Sequence, residues 1–139
     1  MASKLRLLGW VGAGRSGTGA TSRDTGGTVD DLRESDAILR ERCTDVGRDP
    51  DEIERTTSVW LAIRDDPAEA RRVLAANAVA NGDTLADDDL AYVGPPSKIA
   101  DELRPIVELG FRHIIIDAMS PYDAETLERL PEVRELLDA

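Results

Sequence analysis

Three glycines, Gly12, Gly14 and Gly17, stand in the run GAGRSG at the spacing that cradles a dinucleotide pyrophosphate. That chemistry needs a helix N-terminus directly after the glycines, whose free amides and dipole hold the phosphate. The chain instead continues Thr18-Gly19-Ala20-Thr21 without helical period, and Asp30 and Asp31 fall at a helix start rather than at the end of a second strand. The glycines therefore read as loop residues. Asp87-Asp88-Asp89 lacks the ordered ligand spacing of a calcium loop and reads as a solvated connection. His113, the single histidine, sits early in an apolar strand, where a hydrogen-bonded structural role is the simpler reading than catalysis. Cys43 is alone, so no intrachain disulfide can form; it reads as a core thiol on a helix, compatible with a reducing cytoplasm.

The elements that must position any site are clearer. A chain of 139 residues with 41% apolar and 32% charged residues has the makings of one globular domain and one core. Its net charge of −11 argues against a nucleic-acid partner, because phosphate binding relies on clustered Lys and Arg. No run approaches the roughly 20 apolar residues of a membrane-spanning helix, and the thin, Gly-broken N-terminal apolar run does not make a signal peptide. Residues 1–27 form an irregular Gly/Ser/Thr-rich segment, with Leu5 to Val11 as a possible strand and Arg15 to Thr28 as a loop expected to be poorly ordered. Residues 28–139 carry regular patterning.

That patterning begins with a helix from about Val29 to Val46, whose Leu32, Leu39, Cys43 and Val46 share one face. Thr28 and Asp31 have the spacing of a capping box, and Gly47 suits the left-handed C-terminal position. Pro50 starts a short helical piece. Thr57 to Ile63 is β-branched and aromatic enough for a strand. Asp66-Pro67-Ala68-Glu69 opens a helix that Asn81-Gly82 ends, and DTLADDDLAYV reads as a polar acidic connection. A further helix carries Ile99, Leu103, Ile106 and Val107 as a stripe, interrupted by Pro105 and closed by Gly110. The strand Arg112 to Asp117 is apolar on both faces, as in parallel sheets covered on both sides. A last helix starts near Ala124 with Pro131 dividing it. The alternation predicts an α/β fold with parallel strands, and the strands at Thr57 to Ile63 and Arg112 to Asp117 should lie side by side.

Four stretches in order, GTVDDLRESDAILRERCTDVGRDPDEIERT, SVWLAIRDDPAEARRVL, VGPPSKIADELRPIVELGFRHIIID and SPYDAETLERL, resemble the C-terminal portion of the luciferase-like monooxygenase superfamily, in its deazaflavin (coenzyme F-420)-dependent oxidoreductase branch. The resemblance implies a partial TIM (β/α)8 barrel, its last two or three strand-helix units, with SVWLAI as the seventh strand and RHIIID as the eighth. A complete barrel takes about 250 residues, so the resemblance also implies a C-terminal fragment that is inactive alone. The GAGRSGTGATSRDT segment has no family counterpart.

Further implications of the resemblance concern chemistry. Coenzyme F-420 or FMN would be the cofactor, with a small-molecule substrate in the complete enzyme and flavin-type redox chemistry carried by the ring. Active sites of such barrels lie at the C-terminal ends of the strands. That rule selects Arg64 and Asp65 after the seventh strand, Asp117 to Ser120 after the eighth, and the helix start Gly94 to Ser97 on the same rim. Gly94, Ser97, Asp117 and Ser120 are the candidate cofactor contacts, although Asp117, Pro121 and Asp123 also suit turn and N-cap roles. No catalytic residue and no metal ligand can be assigned. The alternative is a non-enzymatic α/β interaction module that hides its exposed strand edges by pairing with itself or a partner chain; under the fragment reading, the partner is a second copy or a missing N-terminal half.

Overall fold

The structure is a computed structural model that describes residues 6–8, 22–24 and 27–139. Gly12, Gly14 and Gly17, and most of the stretch read as a poorly ordered loop, lie outside the described residues. Among the described residues six strands and four α-helices follow in the order β1 (Arg6–Leu8), β2 (Ser22–Asp24), α1 (Val29–Val46), β3 (Glu54–Val59), β4 (Leu61–Ile63), α2 (Pro67–Ala80), β5 (Tyr92–Gly94), α3 (Pro96–Glu108), β6 (Phe111–Ile116) and α4 (Ala124–Asp138). β1 falls within the possible strand at Leu5 to Val11. β2 is a strand where the composition reads as loop.

Local chemistry sets the helix ends. The Asp31 amide donates to Thr28 Oγ1 at 3.2 Å and the Thr28 amide donates to Asp31 Oδ2 at 2.8 Å, which completes the capping box of α1. Gly47 closes that helix at φ 69°, a left-handed conformation that glycine adopts without a Cβ clash. Asp66 caps α2 by accepting from the Ala68 amide at 3.0 Å, with Pro67 at the first position. The two internal prolines do not break their helices. α3 runs through Pro105 and α4 through Pro131. In α3, burial of Ile99, Leu103 and Ile106, at roughly 1.5–3 kcal/mol each, outweighs the ~3 kcal/mol that an interior proline costs.

Four parallel strands form one sheet in the order β1-β6-β3-β2, and β4 and β5 form a second, two-stranded parallel sheet. The expected strand from Thr57 to Ile63 is thus divided at Trp60, with β3 in the first sheet and β4 in the second. β3 and β6 lie side by side and parallel, as the sequence predicts. The acidic connection read at DTLADDDLAYV ends in β5, because Tyr92 and Val93 find a partner in Leu61 and Ala62 that their own sequence does not announce.

A bulge at the start of β6 changes which residues reach the core. Arg55 pairs with Phe111 but Thr56 pairs with His113, so Arg112 is the extra residue. Phe111 consequently joins Ile114 and Ile116 in the core, and Arg112 is exposed. That core gathers Leu32 of α1, Val59, Leu61 and Ile63, the α3 stripe, and Val133 of α4. On α1 the buried residues are Leu32, Asp36 and Cys43, while Val46 is 75% exposed, a correction to the expected stripe. Asp36 enters because its carboxylate meets the buried Arg55 of β3 and accepts from Arg40 Nε at 2.9 Å. A buried ion pair satisfies a polar position that would otherwise be excluded from the core.

The strand order is that of a barrel arc. In a (β/α)8 barrel, successive parallel strands are neighbours and the last pairs with the first. Here β2 neighbours β3, β3 neighbours β6, and the last strand, β6, pairs with the first, β1, at Arg6↔His113 through Leu8↔Ile115.

Candidate functional site

The C-terminal ends of β4 and β6 meet around a clamp centred on Arg64. Its amide donates to Gly94 O at 3.1 Å, which locks the ends of β4 and β5 together. Its side chain, only 12% exposed, donates from Nη1 to Asp123 Oδ2 at 3.1 Å and from Nη2 to Asp123 Oδ1 at 2.8 Å. Arg64 Nε stands 3.2 Å from Glu125 Oε2. This two-pronged geometry is the strong form of an Arg–carboxylate pair. Asp123 also accepts from Thr126 Oγ1 at 2.6 Å, and Thr126 Oγ1 in turn accepts from the Ile63 amide at 2.9 Å. A continuous chain of bonds therefore joins the end of β4 to the first turn of α4.

Partial burial pushes the Asp123 carboxyl up, but the hydrogen bonds from Arg64 and Thr126 outweigh it and hold the group below its ordinary range. The Asp123 hydrogen bond likewise raises the Arg64 guanidinium above its usual value, against partial burial. Both groups are charged at neutral pH. The pair is structural electrostatics and not a proton-transfer couple, because neither partner titrates near neutrality.

The segment 117–123 after β6 is held from a second side. Asn77 Nδ2 donates to Met119 O at 3.1 Å and to Pro121 O at 2.8 Å, and Asn81 Nδ2 donates to Ser120 O at 2.8 Å. Asn77 lies in the last turn of α2 and Asn81, four residues on, is its C-cap, with Asn81 Nδ2 also donating to Asn77 O at 2.9 Å. The Asp117 amide extends the ladder by donating to Val59 O at 3.1 Å, and the Ser120–Pro121 peptide is cis.

The four residues selected from sequence take different places. Asp117 lines a cavity of about 30 Å³ with Leu61, Leu74, Asn77, Ile116 and Met119. Ser120 is exposed and outside the cavity lining, its carbonyl taken by Asn81. Gly94 is buried at φ 135°, and a Cβ there would stand 3.0 Å from Lys98 Cδ and 3.3 Å from Pro67 Cγ. The glycine is required for the close packing of α2 and α3 on this strand end. Ser97 is exposed in the first turn of α3. Gly94 and the post-β6 segment are thus connected through Arg64 and Asp123, while Ser97 stands apart. Asp65 pairs with Arg129 Nη2 at 3.0 Å.

Elsewhere, His113 Nδ1 stands 3.5 Å from Glu54 Oε1, and Asp87, Asp88 and Asp89 are exposed in a turn where the Ala86 amide donates to Asp89 Oδ2 at 2.7 Å. Among the described residues no group of three His, Cys, Asp or Glu side chains is placed to hold a metal ion. No helix among them is long and apolar enough to cross a membrane.

A cavity of about 30 Å³ has room for roughly two water molecules, whereas cofactor sites occupy roughly 300–1,000 Å³. The described residues do not fit a flavin or deazaflavin ring by themselves.

Sequence reasoning missed the Arg64–Asp123 clamp and the Asn77 and Asn81 staples. The signal was present in part: a half-buried asparagine, Asn77, near the end of α2 calls for polar partners.

No protein-family model matches the chain, and no curated protein matches it. Solved structures do. The chain is similar to a long-chain alkane monooxygenase at 19% identity and a TM-score of 0.59, covering 85% of this chain and 36% of that one. It is similar to a coenzyme F420-dependent tetrahydromethanopterin reductase from Methanopyrus kandleri at 16% identity and a TM-score of 0.58, covering 86% and 43%. A riboflavin lyase solved with modified FMN and riboflavin matches at 18% identity and a TM-score of 0.58, covering 84% and 38%.

These neighbours, a monooxygenase, a reductase and a lyase, are of the luciferase-like group that the sequence resembles, and the likeness at this identity is one of fold. The chain is an α/β protein with the fold of part of a TIM-like barrel and spans 36 to 43% of the length of these three solved chains.

Proposed function

We infer that this chain is the C-terminal arc of a luciferase-like oxidoreductase that uses coenzyme F-420 or FMN on a small-molecule substrate, and that alone it is inactive. Its contribution is one wall of the cofactor site, built from the post-β6 segment and the start of α3. The observation that carries this reading is the clamped rim. Arg64, Asn77 and Asn81 fix the segment after β6 at the strand ends where barrels of this kind carry out chemistry. Fixing a loop before a ligand arrives lowers the ordering cost of binding. The neighbours whose descriptions name F420 and FMN support the choice of cofactor class. The lone Cys43, reduced and buried, supports a cytoplasmic location.

Hydrogen exchange of the purified chain tests the wall. At about 1 mM coenzyme F-420 or FMN, the free amides of Ser97 and Lys98 and the amides of 117–123 should exchange about twofold more slowly, a stabilisation near 0.4 kcal/mol for a dissociation constant of about 1 mM. ATP at the same concentration serves as the anion control. Equal protection by ATP, or none by either cofactor, would remove the reading.

A further inference from the structure

We propose that two copies of this chain close into one eight-stranded parallel barrel, each copy supplying four strands. The inference rests on strand topology and stands whether or not a flavin binds. The larger sheet runs β1-β6-β3-β2 with every pairing parallel, so its outer edges belong to β1 and β2. Among the described residues neither edge has a strand on its outer side. An edge of unpaired amides and carbonyls is a template for another chain.

Symmetry then limits what that chain can be. A half-turn about an axis along the strands leaves strand direction unchanged, so the β2 edge of one copy meets the β1 edge of the other in parallel. The twofold repeats the same contact on the far side, and the assembly closes instead of growing into a fibre. Both edge strands are three residues long, so the joining ladders match in length. Four strands from each copy give eight, the number whose barrel interior side chains can fill.

A second observation lies on the face that closure would turn inward. The core helices α1, α3 and α4 pack on the face of Thr57, Val59, Ile114 and Ile116. The opposite face carries Glu54, Thr56, Ser58, His113 and Ile115, as the register and the alternation of side chains require. On it His113 Nε2 is buried and has no hydrogen-bond partner. Buried polar atoms are normally paired, and an orphan asks for a group that the described chain does not supply. In the closed barrel this face becomes the interior, where the second copy presents an equivalent polar row. The net charge of −11 per copy opposes the association, so salt should favour it.

Native mass spectrometry and light scattering of the full chain, from about 1 to about 100 µM, read the outcome by mass action. The expected species has twice the chain mass. Its fraction should rise severalfold as salt goes from about 10 to about 150 mM, where the screening length falls from roughly 30 to 8 Å. Amides of Arg6–Leu8 and Ser22–Asp24 should exchange more slowly in the dimer than in the dilute monomer. Leu7→Pro removes a backbone donor from β1, whose main contacts are with β6 alone, and should yield a monomer with unchanged helical circular dichroism. A chain that stays monomeric throughout, a dimer indifferent to Leu7→Pro, or open-ended polymers would each overturn the proposal. Monomer throughout would leave a different polypeptide as the partner of these edges.

Discussion

The two sheets use their faces differently. In the β4–β5 layer all six residues are buried. Ala62 and Val93 meet Ala70 and Leu74 of α2 on one side, and Leu61, Ile63 and Tyr92 join the α3 and α4 core on the other. The strand-helix-strand unit from Leu61 to Gly94 is therefore complete within the chain. The central strands of the four-stranded sheet, β3 and β6, give one face to the core helices, and their other face carries Ile115 among Glu54, Thr56, Ser58 and His113. A sheet covered on both sides reads as continuous apolar sequence. On β3 and β6 the apolar text is concentrated on one side, which is the arrangement of an arc whose other face looks toward something else.

The largest effect in this comparison should come from the ion pair that ties α1 to β3. Asp36→Ala leaves the Arg55 guanidinium, 7% exposed, without its buried carboxylate and with the exposed Asp51 carboxylate 3.7 Å away. The expected loss is about 3–5 kcal/mol in urea unfolding. Asp36→Leu combined with Arg55→Met should recover most of it, because the cost lies in an unpaired buried charge. A single Asp36→Ala variant as stable as the parent would show that the pair is solvated and that the sheet does not depend on α1 for its covered face.

The two faces of β6 can be weighed directly. Ile114 is fully buried and Ile115 half-buried. Ile114→Ala should cost about 3 kcal/mol and Ile115→Ala less than half as much in the monomer. Equal costs would mean that both faces are packed alike, and the contrast between the two sheets would disappear. The same pair measured at concentrations where the chain associates would sharpen it, since closure brings the Ile115 face into an interior.

The smallest effect concerns the rim that joins the two sheets. The Asp123 carboxyl is held below its ordinary range, so its contribution to stability is complete above the unfolded value of about 3.9 and is lost as pH falls through the folded value. Asp123→Asn should lower stability by about 1 kcal/mol at neutral pH. The difference from the parent should shrink below about pH 4 and vanish once the parent carboxyl is protonated. A difference that persists unchanged at pH 3 would mean that shape, and not the ion pair, is what Asp123 contributes.

Much of this architecture was legible in the residues. The Thr28–Asp31 box, Gly47, Asp66-Pro67 and Gly110 mark helix ends with side chains a few positions away, and the structure places those ends where the sequence does. The Ile99, Leu103 and Ile106 stripe is the buried stripe. Other features left only weak traces. Nothing near Arg112 announces the bulge that turns Phe111 into the core, and the break at Trp60 depends on which neighbour each half of the strand finds. Of the four candidate contacts, Asp117 lines the cavity, while the clamp that shapes the rim uses Arg64 and Asp123, a pair 59 positions apart.

The sequence by itself determined the helices, their caps and the parallel α/β order, because capping and hydrophobic period are settled by residues within about one helical turn of each other, and the partial barrel was what its family resemblance implied. Tertiary structure alone decided the β1-β6-β3-β2 order, the two-sheet division of one strand, the Asp36–Arg55 pair across 19 positions and the Arg64–Asp123 clamp. Those depend on which strand edges and which buried charges meet once the chain has closed on itself, and neither is written in the local pattern of any one segment.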